Sequence, residues 1–191
     1  MSKKLILLVG APGSGKTTDG HTIAENHPEI TYYCTGDLLK DEIEKGTKIG
    51  KINESFISRG ALVPTDIVID TIVSAIKSAP TDIVLLGGFP RKEKQMKFFA
   101  DCLHNIEGIE LNAVIEIRVS EAVARDRVLG QGGEDKLFDN EMKIYQSTIA
   151  EIEEFYNNDH LLTVIDGERD ASVVIKDIDD FLQQKVALPT Q

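Results

Sequence analysis

The sequence predicts an α/β fold in which helices cover both faces of a parallel β-sheet. Residues 5–9 and 83–86 are short apolar runs without alternation, a pattern typical of strands buried on both faces of a parallel sheet. Such runs alternate along the chain with longer segments of helical periodicity, and this order favours repeated strand–helix–strand units. A glycine-rich loop follows the first run directly, at the end of the strand where parallel sheets bind ligands.

Length, composition and charge limit the class of protein. At 191 residues with 41% hydrophobic residues, the chain is long enough for one sizeable core. The net charge of -11 argues against a nucleic-acid-binding surface, and no apolar run approaches the roughly 20 residues of a membrane span. The first apolar run is too short for a signal peptide, so we expect a cytoplasmic protein without a membrane segment.

Boundary signals separate the predicted elements. Pro28 stops the first helix, Pro64 begins another at a position that suits its fixed φ angle, and Asp37 is the predicted N-cap of the helix after the second strand. The predicted strands are residues 5–9, 30–34, 83–86, 113–119 and 161–165. The predicted helices are residues 18–27, two short helices separated by Gly46 and ended near Gly60, and residues 64–78, 92–104, 121–129, 138–156 and 172–184, before a loose tail at 187–191.

Cysteines and histidines carry no predicted chemistry. Cys34 and Cys102 form neither a C-x-x-C pair nor a metal-ligand spacing, so we expect two buried free thiols. The four histidines are equally scattered, and none has a partner in sequence that suggests a metal site or a catalytic triad.

The loop at residues 10–17 carries the strongest chemical signal. It matches the phosphate-binding pattern G-x-x-x-x-G-K-[ST] in its required place, between a strand and a helix. The backbone N–H groups of such a loop point at phosphate oxygens, Lys16 would reach the β and γ phosphates, and Thr17 offers a hydroxyl to a magnesium ion. The bland alternative is a glycine-rich turn between strand and helix, but the sequence context favours a nucleoside triphosphate site.

Four motifs together resemble the adenylate kinases, a family of nucleoside monophosphate kinases. They are GAPGSGKTT at residues 10–18, TGDLLK at 35–40, GALVP at 60–64 and GGFPRKEKQ at 87–95. Each motif is weak to moderate alone, but their order and spacing are specific and cover nearly the whole chain. The segments RVLG at 127–130 and IDGER at 165–169 look like the short-lid bacterial group.

The resemblance implies a P-loop NTPase fold with an inserted helical nucleotide-binding region and a short lid. The core would be residues 1–34, 64–130 and 138–191, with the insertion at about 35–63 and the lid at about 131–137. The implied reaction is the reversible, Mg²⁺-dependent transfer of the ATP γ-phosphoryl group to AMP, which gives two ADP. A monomer that binds only these small nucleotides, and no nucleic acid, is expected from the family.

The resemblance also implies site residues. Lys16, Lys40 and Arg91 would be catalytic. The implied ATP site comprises Gly13, Ser14, Gly15, Lys16, Thr17, Thr18, Arg127, Gln131 and Arg169, with Arg127 stacked on the adenine and Thr17 acting indirectly on Mg²⁺. The implied AMP site comprises Thr35, Lys40, Ala61, Leu62, Val63, Gly88, Arg91 and Gln95, in which Gln95 reads the adenine edge and Lys40 and Arg91 contact the phosphate.

Four positions depart from the family pattern. Lys40 replaces an arginine and loses bidentate geometry on a phosphate. Gly87 replaces an aspartate that helps to hold magnesium through water, and Gln131 replaces a lid arginine. Depending on the lid alignment, Glu141 or Ser147 stands where the family has a transition-state arginine, so Lys136 is the one lid cation that could substitute. Because one electrostatic contact can be worth on the order of 10²-fold in rate, we expect slower turnover than in an ordinary family member.

Three functions therefore remain open at this point. The first is a working adenylate kinase with reduced activity. The second is a nucleotide-binding or sensor protein with little kinase activity, which the four departures motivate. The third is a kinase for another nucleoside monophosphate, because base discrimination depends on all the polar partners in the pocket.

Overall fold

A computed structural model describes residues 2–58 and 63–188. The strands are β1 (Lys3–Gly10), β2 (Ile30–Cys34), β3 (Ile83–Gly87), β4 (Ile109–Arg118) and β5 (Leu162–Asp166). The helices are α1 (Lys16–Asn26), α2 (Thr35–Glu44), α3 (Lys48–Ile57), α4 (Thr65–Ser78), α5 (Glu93–Asn105), α6 (Glu121–Gly130), α7 (Asp135–Asn158) and α8 (Ala171–Val186). Within the described residues, none of these helices has the length and apolar character needed to span a bilayer.

The five strands form one parallel sheet in the order β2-β3-β1-β4-β5. β1 lies at the centre, where Leu7 pairs with Leu86 of β3 on one side and with Val114 of β4 on the other. Because all strands run in the same direction, the loops that follow them meet at one edge of the sheet. The predicted parallel α/β fold is confirmed.

Helices cover both faces of the sheet, as the unbroken apolar strands predict. One face packs against α4, α5 and α7, with Ile72, Phe99 and Tyr156 among its buried side chains. The other face packs against α1 and α8 through residues such as Ile23 and Ile178. His27, just after α1, also bonds Asp179 of α8 with 2.8 Å between Nε2 and Oδ1.

Several predicted boundaries were wrong, and α7, for example, begins at Asp135 rather than at residue 138. β4 begins at Ile109 rather than at residue 113, because pairing with β1 overrides Glu110 and Asn112, which interrupt the apolar pattern. Asp37 is not an N-cap: α2 begins at Thr35, directly after β2, and Asp37 lies exposed in its first turn. An acidic residue there still favours the helix through the dipole.

Predictions about burial were also partly wrong. Both cysteines are free, as expected, but each is only half-buried. Cys34 ends a strand beside the ligand edge of the sheet, and Cys102 of α5 packs against the edge of the core. Leu188, in the predicted loose tail, is buried against the α1 and α8 face of the sheet. Residues 189–191 lie outside the described part of the chain.

Candidate active site

The phosphate-binding loop joins β1 directly to α1, as its motif predicts. Gly13 and Gly15 adopt φ angles of 78° and 95°, a left-handed region that favours glycine. A Cβ atom on Gly13 would lie 2.4 Å from the carbonyl oxygen of Ala124 in α6, so the close approach also requires glycine. Ser14 is buried in the loop, and its hydroxyl has no hydrogen-bond partner among the residues described.

Lys16 folds back over this loop. Its amine donates a hydrogen bond to the carbonyl oxygen of Ala11 at 3.1 Å. Burial and, to a lesser degree, the nearby Arg91 lower the pKa of Lys16 to about 8, whereas Cys34 and Glu141 oppose the change. A buried cation with so few counter-charges gains from the arrival of an anionic phosphate.

Arg91 approaches the same place from the loop after β3. Its Nε donates to the carbonyl oxygen of Gly88 at 3.1 Å, and its backbone N–H donates to the Gln95 side chain at 2.8 Å. Gln95 Oε1 is therefore engaged by the loop that precedes α5.

A cavity of about 130 Å³ lies between the phosphate-binding loop, the loop after β3 and α7. Its lining includes Lys16, Gly88, Arg91, Gln95 and Glu141. Of the two positions considered for the missing lid arginine, Glu141 lines this cavity and Ser147 does not. The exposed Lys136 is not in the lining either, so the α7 side of the cavity presents a carboxylate.

Arg127 lies on the opposite side of the phosphate-binding loop. Its guanidinium donates to the carbonyl oxygen of Gly167 at 2.8 Å and to that of Ser14 at 3.4 Å. This places it across the loop that follows β5, where the resemblance puts the adenine of ATP. Arg169 turns away to pair with Asp177 of α8, and Gln131 is exposed at the end of α6.

The residues predicted for the second nucleotide are only partly assembled. Thr35 is buried and donates to the carbonyl oxygen of Gly87 at 3.1 Å, while Lys40 is exposed on α2. Val63 packs against the core beside α4. The predicted residues Ala61 and Leu62 lie outside the described part of the chain.

Sequence reasoning missed two side chains beside the phosphate-binding loop, one buried and one half-buried. Asp19 is buried in α1, which raises its pKa to about 6, although Arg127 opposes this. Tyr32 of β2 extends to Gly87, where a Cβ atom would lie 2.5 Å from the tyrosine Oη. The signal for Tyr32 is its position two residues before Cys34, the β2 residue that pairs with Gly87. It becomes visible only when the strand register is known.

The arrangement gathers cations from two loops, with Lys16 from the first and Arg91 from the second, around a space large enough for phosphate groups. That is the geometry of a phosphoryl-transfer site, which works by positioning and charge neutralisation. Comparisons with known proteins agree with it. A family profile described as adenylate kinase matches residues 8–161.

Curated relatives match along nearly the full chain. An adenylate kinase of a Sulfurovum species is 47% identical over 196 residues, which cover 96% of this chain and 100% of that protein. Adenylate kinases of a Nitratiruptor species and of Nautilia profundicola are 47% and 46% identical, over 96% and 97% of this chain and 97% and 100% of their own. The chain therefore belongs to the adenylate kinase family.

Proposed function

We propose that this protein transfers the γ-phosphoryl group of ATP to AMP, reversibly, to give two ADP. The observation that carries the proposal is the cavity lined by Lys16, Arg91 and Gln95. Lys16 comes from the phosphate-binding loop, and Arg91 and Gln95 come from the start of α5 and the loop before it, far away in sequence. In the assigned roles, Lys16 serves the ATP phosphates and Arg91 the AMP phosphate. The family membership supports these roles.

The chemistry expected of these residues is electrostatic. The γ-phosphoryl group passes in line between two anionic oxygens, so the protein must hold both nucleotides and neutralise the charge that spreads over the transferred group. Lys16 and Arg91 supply positive charge at the cavity wall. Glu141 supplies negative charge at the same wall and therefore opposes the reaction.

The residues beside the phosphate-binding loop fit a magnesium ion bound with ATP. The Thr17 hydroxyl is exposed at the first turn of α1, and the Tyr32 hydroxyl nearby is buried without a hydrogen-bond partner in the described residues. Both carry neutral oxygen atoms, which can bind Mg²⁺ or accept hydrogen bonds from its waters. When bound, the ion would neutralise phosphate charge and orient the phosphate chain.

We assign the remaining predicted roles on the same basis. The helices α2 and α3, within the proposed insertion at 35–63, would hold AMP through Thr35, Lys40 and the backbone at 61–63. Gly88 and Gln95 would complete that site. Arg127, Gln131 and Arg169 would border the ATP base, and the lid at 131–137 would close over both nucleotides. A cytoplasmic monomer is the proposed setting.

The test is ADP formation from ATP, AMP and Mg²⁺ at high protein concentration, followed in a coupled assay. Lys16→Ala should lower the rate by at least about 10²-fold, because it removes a preorganised cation from the phosphate site. The matched control is Lys176→Ala, which removes an exposed lysine of α8 paired with Asp180. Circular dichroism would check folding, and full activity in Lys16→Ala would refute the assigned site.

The same experiment separates the two alternatives. Binding of ATP and AMP without ADP formation would indicate a nucleotide-binding protein, and turnover with CMP, GMP or UMP in place of AMP would indicate another acceptor. Neither alternative gains support from the relatives described above.

A further inference from the structure

Tyr32 fills a space that two glycines leave open. Its ring lies between α1 and β3, where a Cβ atom on Gly20 would be 2.3 Å from the ring and a Cβ atom on Gly87 would be 2.5 Å from Oη. His21 contacts the ring edge-on, with 4.8 Å between the ring centroids. The tyrosine is therefore held on three sides, and a side chain at position 87 would require it to shift.

The hydroxyl at the end of this ring is buried and unsatisfied. The Thr17 side chain interacts with this hydroxyl, but no described residue meets it at a full hydrogen-bonding distance and angle. Burial raises the pKa of Tyr32 to about 12; the Thr17 side chain beside it opposes the rise, while Cys34 adds to it. The hydroxyl is thus neutral at physiological pH, and leaving it unpaired costs folding free energy.

The position of the Tyr32 hydroxyl indicates which group could form a hydrogen bond with it. The hydroxyl lies where β3 ends, beside Thr17, the residue that the phosphate-binding loop offers to a metal ion. A hydrated Mg²⁺ ion keeps several waters when it binds with a nucleotide. These waters are strong hydrogen-bond donors, and a neutral tyrosine oxygen accepts such a bond.

We propose that Tyr32 is a positioning residue for the metal that accompanies ATP, and that its hydroxyl accepts a hydrogen bond from a water on that ion. The inference rests on the proposed function, because it places the ATP phosphates at Lys16 and Thr17. Tyr32 acts through the water and makes no contact with the transferred group. A neutral oxygen in this place holds the water less strongly than a carboxylate would, so metal-dependent ATP binding needs a higher Mg²⁺ concentration.

The test is calorimetric ATP binding without AMP, in Mg²⁺ and in EDTA. Tyr32→Phe keeps the ring and removes only Oη, so it should weaken ATP binding about 3-fold to 10-fold in Mg²⁺ and leave binding in EDTA unchanged. It should also raise the Tm of the nucleotide-free protein, because the unsatisfied hydroxyl is gone. Tyr33→Phe is the matched control, since Tyr33 lies next along β2 and packs into the opposite face of the sheet.

Two results would overturn the proposal. Equal weakening in Mg²⁺ and in EDTA would show that the hydroxyl contacts a phosphate directly. Unchanged binding in both would show that the hydroxyl contacts neither. These measurements follow ATP binding and are therefore independent of the ADP assay. A wild-type protein that binds ATP but forms no ADP would refute the proposed function, and the effect of Tyr32→Phe on ATP binding would still test the role of the hydroxyl.

A second pair of variants tests the shared space. Gly87→Asp alone should lower the Tm, because its Cβ would meet Oη and the tyrosine would have to shift from its place between α1 and β3. The double variant Tyr32→Ala/Gly87→Asp should lose less Tm than the sum of the losses in the two single variants. Its ATP binding should also depend more strongly on Mg²⁺ than that of Tyr32→Ala alone. Strict additivity in both measurements would contradict the arrangement.

Discussion

Buried charges beside the phosphate-binding loop show that the site is not optimised for stability. Burial moves the pKa of Lys16 down to about 8 and that of Asp19 up to about 6, so each group resists its charged form in the nucleotide-free protein. Such perturbed groups in one cleft are typical of functional sites. A bound phosphate would stabilise the charged form of Lys16.

Asp19 gives a pH-dependent prediction. Its pKa in the folded state is above the ordinary value of 3.8, so the folded protein binds more protons between about pH 4 and pH 6 and loses stability as the pH rises through that window. Asp19→Asn should therefore raise the Tm more at pH 8 than at pH 4.5. With allowance for solvent screening, we expect a rise of roughly 2–4 °C at pH 8, which corresponds to about 1 kcal/mol in a domain of this size.

Thermal unfolding followed by circular dichroism at the two pH values would measure this effect. The control is Asp101→Asn, which changes an exposed carboxylate on α5. A Tm difference that is the same at both pH values would show that the Asp19 carboxyl does not resist ionisation.

At the residue scale, sequence predicts the chemistry of the loop but not what surrounds it. Motifs identify Lys16 and Arg91, and the structure brings them to one cavity. Tyr32 and Gly87 are far apart in the chain, and their competition for one space depends on the register of β2 against β3. No local pattern encodes that register, so the tyrosine could not be recognised beforehand.

Among the secondary-structure elements, α7 determines which charged side chain lines the cavity on its side. It begins at Asp135, and Arg125 of α6 secures this end by pairing with Asp135 and Asp139 and by lying 4.7 Å from the centre of the Phe138 ring. With its start fixed in this way, the helix brings Glu141 into the cavity lining. Sequence alone leaves this alignment open between Glu141 and Ser147.

Removing the Glu141 charge should speed the reaction. Glu141→Gln keeps the shape of the side chain and removes a negative charge that faces two anionic nucleotides, so kcat should rise about 3-fold to 10-fold, less than the value of a fully preorganised contact. The matched control is Glu154→Gln, at an exposed position farther along α7. Steady-state rates of ADP formation would decide the matter, and a lower kcat in Glu141→Gln would mean that the carboxylate assists the reaction.

Element prediction worked where the apolar pattern was continuous. The predicted β2 matches the structure to the residue, and the predicted α4 lies within one residue at its start, because Pro64 marks that boundary. The start of β4 was missed because Glu110 and Asn112 look like loop residues. Their acceptance inside a strand reflects pairing with β1, a tertiary effect.

For the molecule as a whole, the last of the described residues belongs to the core. Leu188 is 6% exposed and packs on the same side of the sheet as α8, and the Lys4 amine donates to the Val186 carbonyl oxygen at 3.3 Å. The chain thus returns to the first strand of the sheet. Sequence position predicts a loose tail at residues 187–191, but Leu188 is buried.

Truncation of Leu188 should weaken the fold. Leu188→Ala should lower the free energy of unfolding by about 2 kcal/mol, at the low end of the range for a buried leucine. Val173→Ala, at a 38% exposed position of α8, should cost much less. Urea unfolding would measure both, and equal effects would place Leu188 in solvent.

The central place of β1 has a consequence for how the protein is made. β1 is synthesised first, but both of its partners come much later, β3 at residues 83–87 and β4 at residues 109–118. Until they emerge from the ribosome, the apolar run from Leu5 to Val9 has no sheet to join, and exposed hydrophobic segments of this kind attract chaperones and aggregate. β1 is therefore made before both of its partner strands but reaches its native pairing only after them, and a ribosome-bound fragment that ends before β4 should fail to retain ATP.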